Sequence, residues 1–117
     1  MAAHLRRRIQ EARRTGSRGR GRWLRLCHGP DSEGGLVLSI RRRFGKAVTR
    51  NRTRRQVRAL CRELADESWD GRLILITVDD LAAGLPYSAL RKDLVRALKG
   101  AGLSSREGAP GPPGRLE

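Results

Sequence analysis

The chain has 117 residues, 26 Lys and Arg against 12 Asp and Glu, a formal charge of +14 and only 3% aromatic residues. That length permits one domain with a single aliphatic core and excludes two. The two cysteines, Cys27 and Cys61, exclude a disulfide framework, and no apolar stretch resembles a membrane span or a signal peptide, so the expectation is buried reduced thiols, a cytoplasmic location and no membrane partner.

The charge is uneven. Residues 1–62 hold 19 Arg and Lys against three acids, whereas residues 63–117 hold seven against nine. A basic half of this kind is a binding face for a polyanion, and the rest is its scaffold. Arginine predominates, and its planar fork suits bidentate phosphate contacts.

Residues 4–14 read as a helix, with Leu5, Ile9 and Ala12 at helical spacing. Gly16, Gly19 and Gly21, interleaved with Ser17, Arg18 and Arg20, read as a flexible basic turn. Arg22 to His28 reads as a strand, which groups Trp23 with Arg25 and Cys27, and Leu24 with Leu26 and His28. Residues 29–35 form a Gly, Pro and Asp loop, and Leu36 to Ile40 a second strand; a further edge strand is possible within these segments.

A helix is expected from Thr49, as N-cap, to about Asp66, with Val57, Leu60, Cys61 and Leu64 along its apolar side. Its six arginines repel one another, a cost that a bound polyanion relieves. Leu73 to Val78 is almost wholly apolar, as in a strand covered on both faces. Pro86 opens a last helix carrying Leu90, Leu94, Val95, Ala97 and Leu98, and Gly100 and Gly102 stop it. Residues 1–103 then form one polyanion-binding domain, which the resemblance given below makes RNA-binding, and the Pro- and Gly-rich residues 104–117 a disordered tail. The element order, α-β-β(-β)-α-β-α, describes an α+β fold with helices against a small sheet.

The stretch from Arg41 to Arg55 is dense in Arg and Lys and free of acids. Within it, Gly45-Lys46-Ala47-Val48 and Arg50-Asn51-Arg52 are followed by Arg54-Arg55, between a strand and an amphipathic helix. A solvated face or a targeting signal would be a run of charge alone. Here small residues let the backbone approach a polyanion, and Asn51 can both donate and accept hydrogen bonds.

These motifs resemble the protein subunit of bacterial ribonuclease P, over about residues 5–100. The resemblance implies a left-handed strand–helix–strand crossover, as in a domain of a small-subunit ribosomal protein, that presents Arg50-Asn51-Arg52. It implies a non-catalytic subunit of an endoribonuclease that removes the 5′ leader from precursor tRNA. Its partners would be the ribonuclease P RNA and precursor tRNA; no protein partner is indicated. The chemistry and its Mg²⁺ would belong to the RNA, so this chain would bind no cofactor alone and hold no catalytic residue or metal. The RNA contacts would fall to Arg41, Arg42, Arg43, Lys46, Arg50, Asn51, Arg52, Arg54, Arg55 and Arg58.

A cleft for the single-stranded leader would involve Ile9, Arg13, Trp23 and Phe44. Here the chain departs from the family, because Ile9 and Arg13 occupy helix positions that are usually aromatic and Phe44 one that is usually valine. Val37 and Arg41 replace residues that are usually glycine and serine. Trp23 and Phe44 are equally well read as core.

Two other readings are open. A general or ribosomal RNA-binding protein would share the charge and the small fold without a role in cleavage. A metal-dependent nuclease would use Asp79 and Asp80, which follow a strand end, but the same pair reads more simply as a capping loop before the last helix. His4 and His28 show no nucleophile beside them and no four-ligand zinc pattern.

Overall fold

The computed structural model describes residues 2–41, 43 and 45–107. Strands β1 (Ser17–Arg20), β2 (Leu24–Pro30), β3 (Gly35–Ile40) and β4 (Arg72–Val78) form one mixed sheet in the spatial order β1-β2-β4-β3. Helices α1 (Ala2–Thr15), α2 (Ala47–Leu64) and α3 (Tyr87–Gly100) pack on it, giving the α+β order read from the sequence. Strand β2 runs antiparallel to β1 and β4, whereas β3 runs parallel to β4, so α2 is the crossover of a strand–helix–strand unit.

The period-2 alternation of the strands divides the core into two layers. Leu24 and Leu26 of β2, Leu36 and Leu38 of β3, and Ile74, Ile76 and Val78 of β4 face α2 and α3. Cys27, Val37, Leu73 and Leu75 face the other way, where Ala12 and Ile9 of α1 cover them. Strand β4 is thus buried on both faces over most of its length, as its almost wholly apolar run requires. Leu60, Leu64, Leu90 and Leu94 are fully buried, each worth about 1.5–3 kcal/mol relative to exposure. Leu5, expected in the stripe of α1, is 39% exposed instead.

Several local expectations give way to tertiary contacts. Ser17–Arg20 is the edge strand β1, not a flexible turn, paired from Ser17 opposite His28 to Arg20 opposite Arg25. Gly19 serves packing there, because a Cβ would overlap the Ala97 carbonyl of α3. Arg22 and Trp23 lie outside β2. The Asp93 carboxylate of α3, 1% exposed, accepts hydrogen bonds from the backbone N–H groups of Arg22 (2.5 Å), Trp23 (2.9 Å) and Leu24 (2.8 Å). Gly21 lies against the same carboxylate, with no room for a side chain. Strand β2 then continues through Gly29 and Pro30, opposite Leu73 and Arg72.

Helix α2 begins at Ala47, two residues before the expected cap, with Lys46 at the N-cap and no side-chain capping bond. It ends at Leu64, where the Ala65 N–H donates to the Cys61 carbonyl at 2.8 Å.

The chain stays packed beyond Gly102. Leu103 and Ser105 are buried, the Arg106 N–H donates to the Leu64 carbonyl at 2.8 Å, and Ser104 Oγ donates to Asp66 at 2.7 Å. Residues 104–107, which composition placed in a disordered tail, therefore close the C-terminal end of α2. The rest of that expected tail, residues 108–117, lies outside the described residues.

Helix α1 is fastened chiefly by Arg8, which pairs with Asp31 and, at 3.4 Å, with Glu33. Arg8 Nε and Nη2 donate to the two carboxylate oxygens of Asp31 at 3.0 and 2.7 Å, and Nη2 also donates to the Gly34 carbonyl at 2.8 Å. Asp31 accepts from the backbone N–H groups of Glu33 and Gly34 as well. The Arg8 bond foremost holds its pKa down, at about 2.

Candidate nucleic-acid interface

The buried stripe of α2, which is Thr53, Val57, Leu60, Cys61 and Leu64, fixes where its other residues point. At about 100° per residue, Gln56 and Glu63 fall on the flank toward α3. There the Tyr87 hydroxyl donates to Glu63 at 3.1 Å and Arg91 Nε donates to it at 2.8 Å. These bonds, Arg91's first, lower the Glu63 pKa. Asn51, Arg54, Arg55, Arg58 and Arg62 fall on the opposite flank, and Arg58 and Arg62 line a groove with Gly35 and Leu36 of the edge strand β3.

Asn51, Arg52, Arg55 and Arg58 are exposed and Arg54 is half-buried. Among the described residues, Arg52, Arg54, Arg55, Arg58 and Arg62 have no acidic partner. Neighbouring guanidinium groups without counter-charges keep a strong attraction for an external anion. The first turn of α2 contains no acid, and exposed Lys46 stands at its start, so the positive end of the helix dipole adds to the same field.

Two members of the predicted set are held by the protein itself. Arg50 donates to the Gly45 carbonyl at 2.7 Å, folding back over the loop before α2. Arg43 Nε pairs with Asp80 at 2.7 Å. Arg41 is exposed at the end of β3, and Arg42 lies outside the described residues.

A second basic surface lies on the other face of the sheet. Helix α1 covers only part of that face, leaving a groove of about 560 Å³. Its walls carry Arg13 of α1, Arg18 and Arg20 of β1, Arg25 of β2 and Arg41 after β3, with Ser39, Leu75 and Thr77 between them. Arg18 also donates to the Arg13 carbonyl at 2.6 Å, tying β1 to the C-terminal turn of α1.

Among the described residues predicted for a leader cleft, Trp23 is separated from Ile9 and Arg13. Arg13 lines this groove, but Ile9 packs beneath α1 with Leu73 and Leu75. Trp23 lies in the opposite layer, half-buried against the main core, with the Arg22 guanidinium 5.2 Å from its ring centre. Phe44 lies outside the described residues. Arg18, Arg20 and Arg25, which sequence reasoning did not single out, form most of the cationic wall. Their signal was present in the alternation of Arg18 with Arg20 and of Arg25 with Cys27, but was readable only once β1 was recognised as a strand.

The acids of the rival nuclease reading are engaged in local structure. Asp79 accepts from the Leu81 N–H at 2.8 Å, capping a short 3₁₀ turn (Asp80–Ala82), and Asp80 holds Arg43. Among the described residues, no three of His, Cys, Asp and Glu gather as a metal site. His28 is buried as the neutral Nε2–H tautomer, since Arg72 Nε donates to its Nδ1 at 2.8 Å and its Nε2 donates to the Ala101 carbonyl at 2.9 Å. Both cysteines are free, and burial pushes the Cys61 thiol up to about 12. No helix among the described residues is long and apolar enough to cross a membrane.

Comparison with known proteins gives a consistent result. A family model described as Ribonuclease P matches residues 4–102. The ribonuclease P protein component of Thermus scotoductus is 37% identical over 90 residues, covering 77% of this chain and 54% of that protein. The ribonuclease P protein component of Bacillus cereus (strain B4264) is 35% identical over 68 residues, covering 58% of this chain and 59% of that protein. The matched region thus spans little more than half the length of these relatives. Among solved structures, the RNase P protein from Thermotoga maritima superposes with a TM-score of 0.63 at 20% identity, covering 78% of this chain and 88% of that one. The RNase P protein of Staphylococcus aureus gives 0.64 at 18% identity, covering 78% and 85%. At such identities the structural likeness establishes the fold.

Proposed function

The chain belongs to the ribonuclease P protein family, and we propose that it acts as the protein subunit of a ribonucleoprotein that removes the 5′ leader of precursor tRNA. In this reading Asn51, Arg52, Arg54, Arg55 and Arg58 on α2, with Lys46 and the Arg41–Arg43 segment before it, bind the ribonuclease P RNA. The arginine groove beside α1 receives the single-stranded leader. Catalysis and its Mg²⁺ ions reside in the RNA, and this chain strengthens productive substrate binding.

The observation that carries the reading is the arginine flank of α2, without acidic partners among the described residues, with a second arginine-walled groove on the other face of the sheet. One surface suits a folded RNA and the other a flexible strand leaving it. Leader binding here rests on guanidinium groups, which pair with phosphates and also stack on bases. It departs in this respect from the aromatic cleft that the resemblance implied.

The test is precursor-tRNA cleavage at low Mg²⁺ by a bacterial ribonuclease P RNA, with and without the protein, and with the protein alone as control. Stimulation only in the mixture is expected. RNA binding without stimulation would favour a general RNA-binding protein. Cleavage by the protein alone would overturn the reading and direct attention to Asp79 and Asp80.

A further inference from the structure

The groove between α2 and the free edge of β3 has a composition that neither basic surface needs. Its volume is about 370 Å³, at the lower end of the range of about 300–1,000 Å³ for small-molecule sites. Its interior is apolar, formed by Leu36, Ile74, Cys61, Ala65 and the indole of Trp69. It is also lined by exposed Arg58 and Arg62 and by Arg72, whose Nε donates to His28 Nδ1. Burial keeps the Cys61 thiol neutral at physiological pH, so the floor stays apolar. Trp69 is fixed in place by its Nε1–H bond to the Ser104 carbonyl at 2.8 Å.

An inorganic anion would pair with these arginines but leave the floor in water. An apolar peptide would fill the floor but leave Arg58 and Arg62 without a counter-charge. A ligand with a flat apolar body and an attached negative charge satisfies both, and a nucleotide is such a molecule. We infer that this groove seats one unstacked nucleobase of the RNA bound by α2, with the adjoining phosphates on Arg58 and Arg62. The inference rests on the RNA-binding role proposed above and adds to it a base-contacting site. Phosphate contacts along α2 give affinity and register; a seated base gives the surface a preference for RNA that has an unpaired nucleotide at the matching position.

The chain contains two tryptophans, so the indole N–H signals of Trp69 and Trp23 serve as probe and internal control in an ¹⁵N-labelled sample. Titration with AMP should shift the Trp69 signal and leave that of Trp23 in place, whereas ribose 5-phosphate should shift neither. Ala65→Leu, which plugs the groove, should abolish the AMP shift. It should also weaken binding of the ribonuclease P RNA by about tenfold, the scale of one lost stacking contact, without changing the salt slope. A Trp69 signal unmoved by AMP, or moved equally by ribose 5-phosphate, would overturn the inference. Those titrations use the unmodified protein, so they decide the matter even if the variant fails to fold. Tight RNA binding with a silent groove would defeat this site alone, whereas absent RNA binding would defeat the proposed function as well.

Discussion

Asp93 shows how one side chain sets a surface it does not belong to. Its buried carboxylate gathers the N–H groups of Arg22, Trp23 and Leu24, and so fixes the turn from β1 into β2. Asp93→Ala leaves those donors without their acceptor, a loss of about 3 kcal/mol or more if they stay dry. Urea unfolding should register it, and a loss below about 1 kcal/mol would mean that water replaces the carboxylate at little cost. The same residue explains why Trp23 was misplaced. Strand alternation assigns it to the face of Arg25 and Cys27, but a carboxylate 70 positions later draws the backbone out of register. No local pattern announces such a bond.

The helices differ in what holds them. Helix α1 buries Ala12 and part of Ile9, so the Arg8–Asp31 pair carries much of its docking. The Asp31 pKa, about 2, lies below the ordinary 3.8. A carboxylate depressed in the folded state adds stability above its unfolded pKa, and that stability is lost as pH falls toward the folded value. Wild type should therefore outlast Asp31→Asn in thermal melts from pH 5 to 7, with the gap closing between about pH 4 and 2. A gap independent of pH would show that the ion pair is not its source.

Helix α2 has the larger core stripe and spends its remaining surface on cations. Arg52→Ala and Arg55→Ala should each weaken RNA binding and lower the salt slope by roughly 0.7–0.9 unit, the value for one phosphate contact. Unchanged slopes in both variants would remove these side chains from the interface. This helix was the most legible part of the chain, because spacing along one helix places its arginines without reference to any other element.

At the scale of the whole molecule, the arginines of the groove come from four segments: α1, β1, β2 and the end of β3. Arg20 and Arg25 stand opposite each other across the β1–β2 pair. Replacing both with Ala should weaken binding of precursor tRNA to the assembled ribonucleoprotein while leaving mature tRNA, which lacks a leader, unaffected. Equal losses for both ligands would show that the groove meets the tRNA body or the RNA subunit instead. Of the residues expected in this cleft, Arg13 lines the groove and Trp23 lies on the other layer. The groove's further arginines were not legible because β1 reads as a Gly- and Arg-rich turn until its partner is known.

The sequence by itself determined the element order apart from β1, the two-sided burial of β4, the inward stripe of α2 and the family to which the chain belongs. Each of these depends on residues close together, where periodicity or fixed motif spacing records the structure directly. Tertiary structure alone decided that Ser17–Arg20 is a strand, that Trp23 faces the main core, that residues 104–107 close the end of α2, and that Arg13, Arg18, Arg20, Arg25 and Arg41 share one groove. Those outcomes depend on hydrogen bonds and close approaches between residues far apart in the chain. Gly19 against Ala97 and Asp93 against Trp23 are such contacts, and folding is what makes them neighbours.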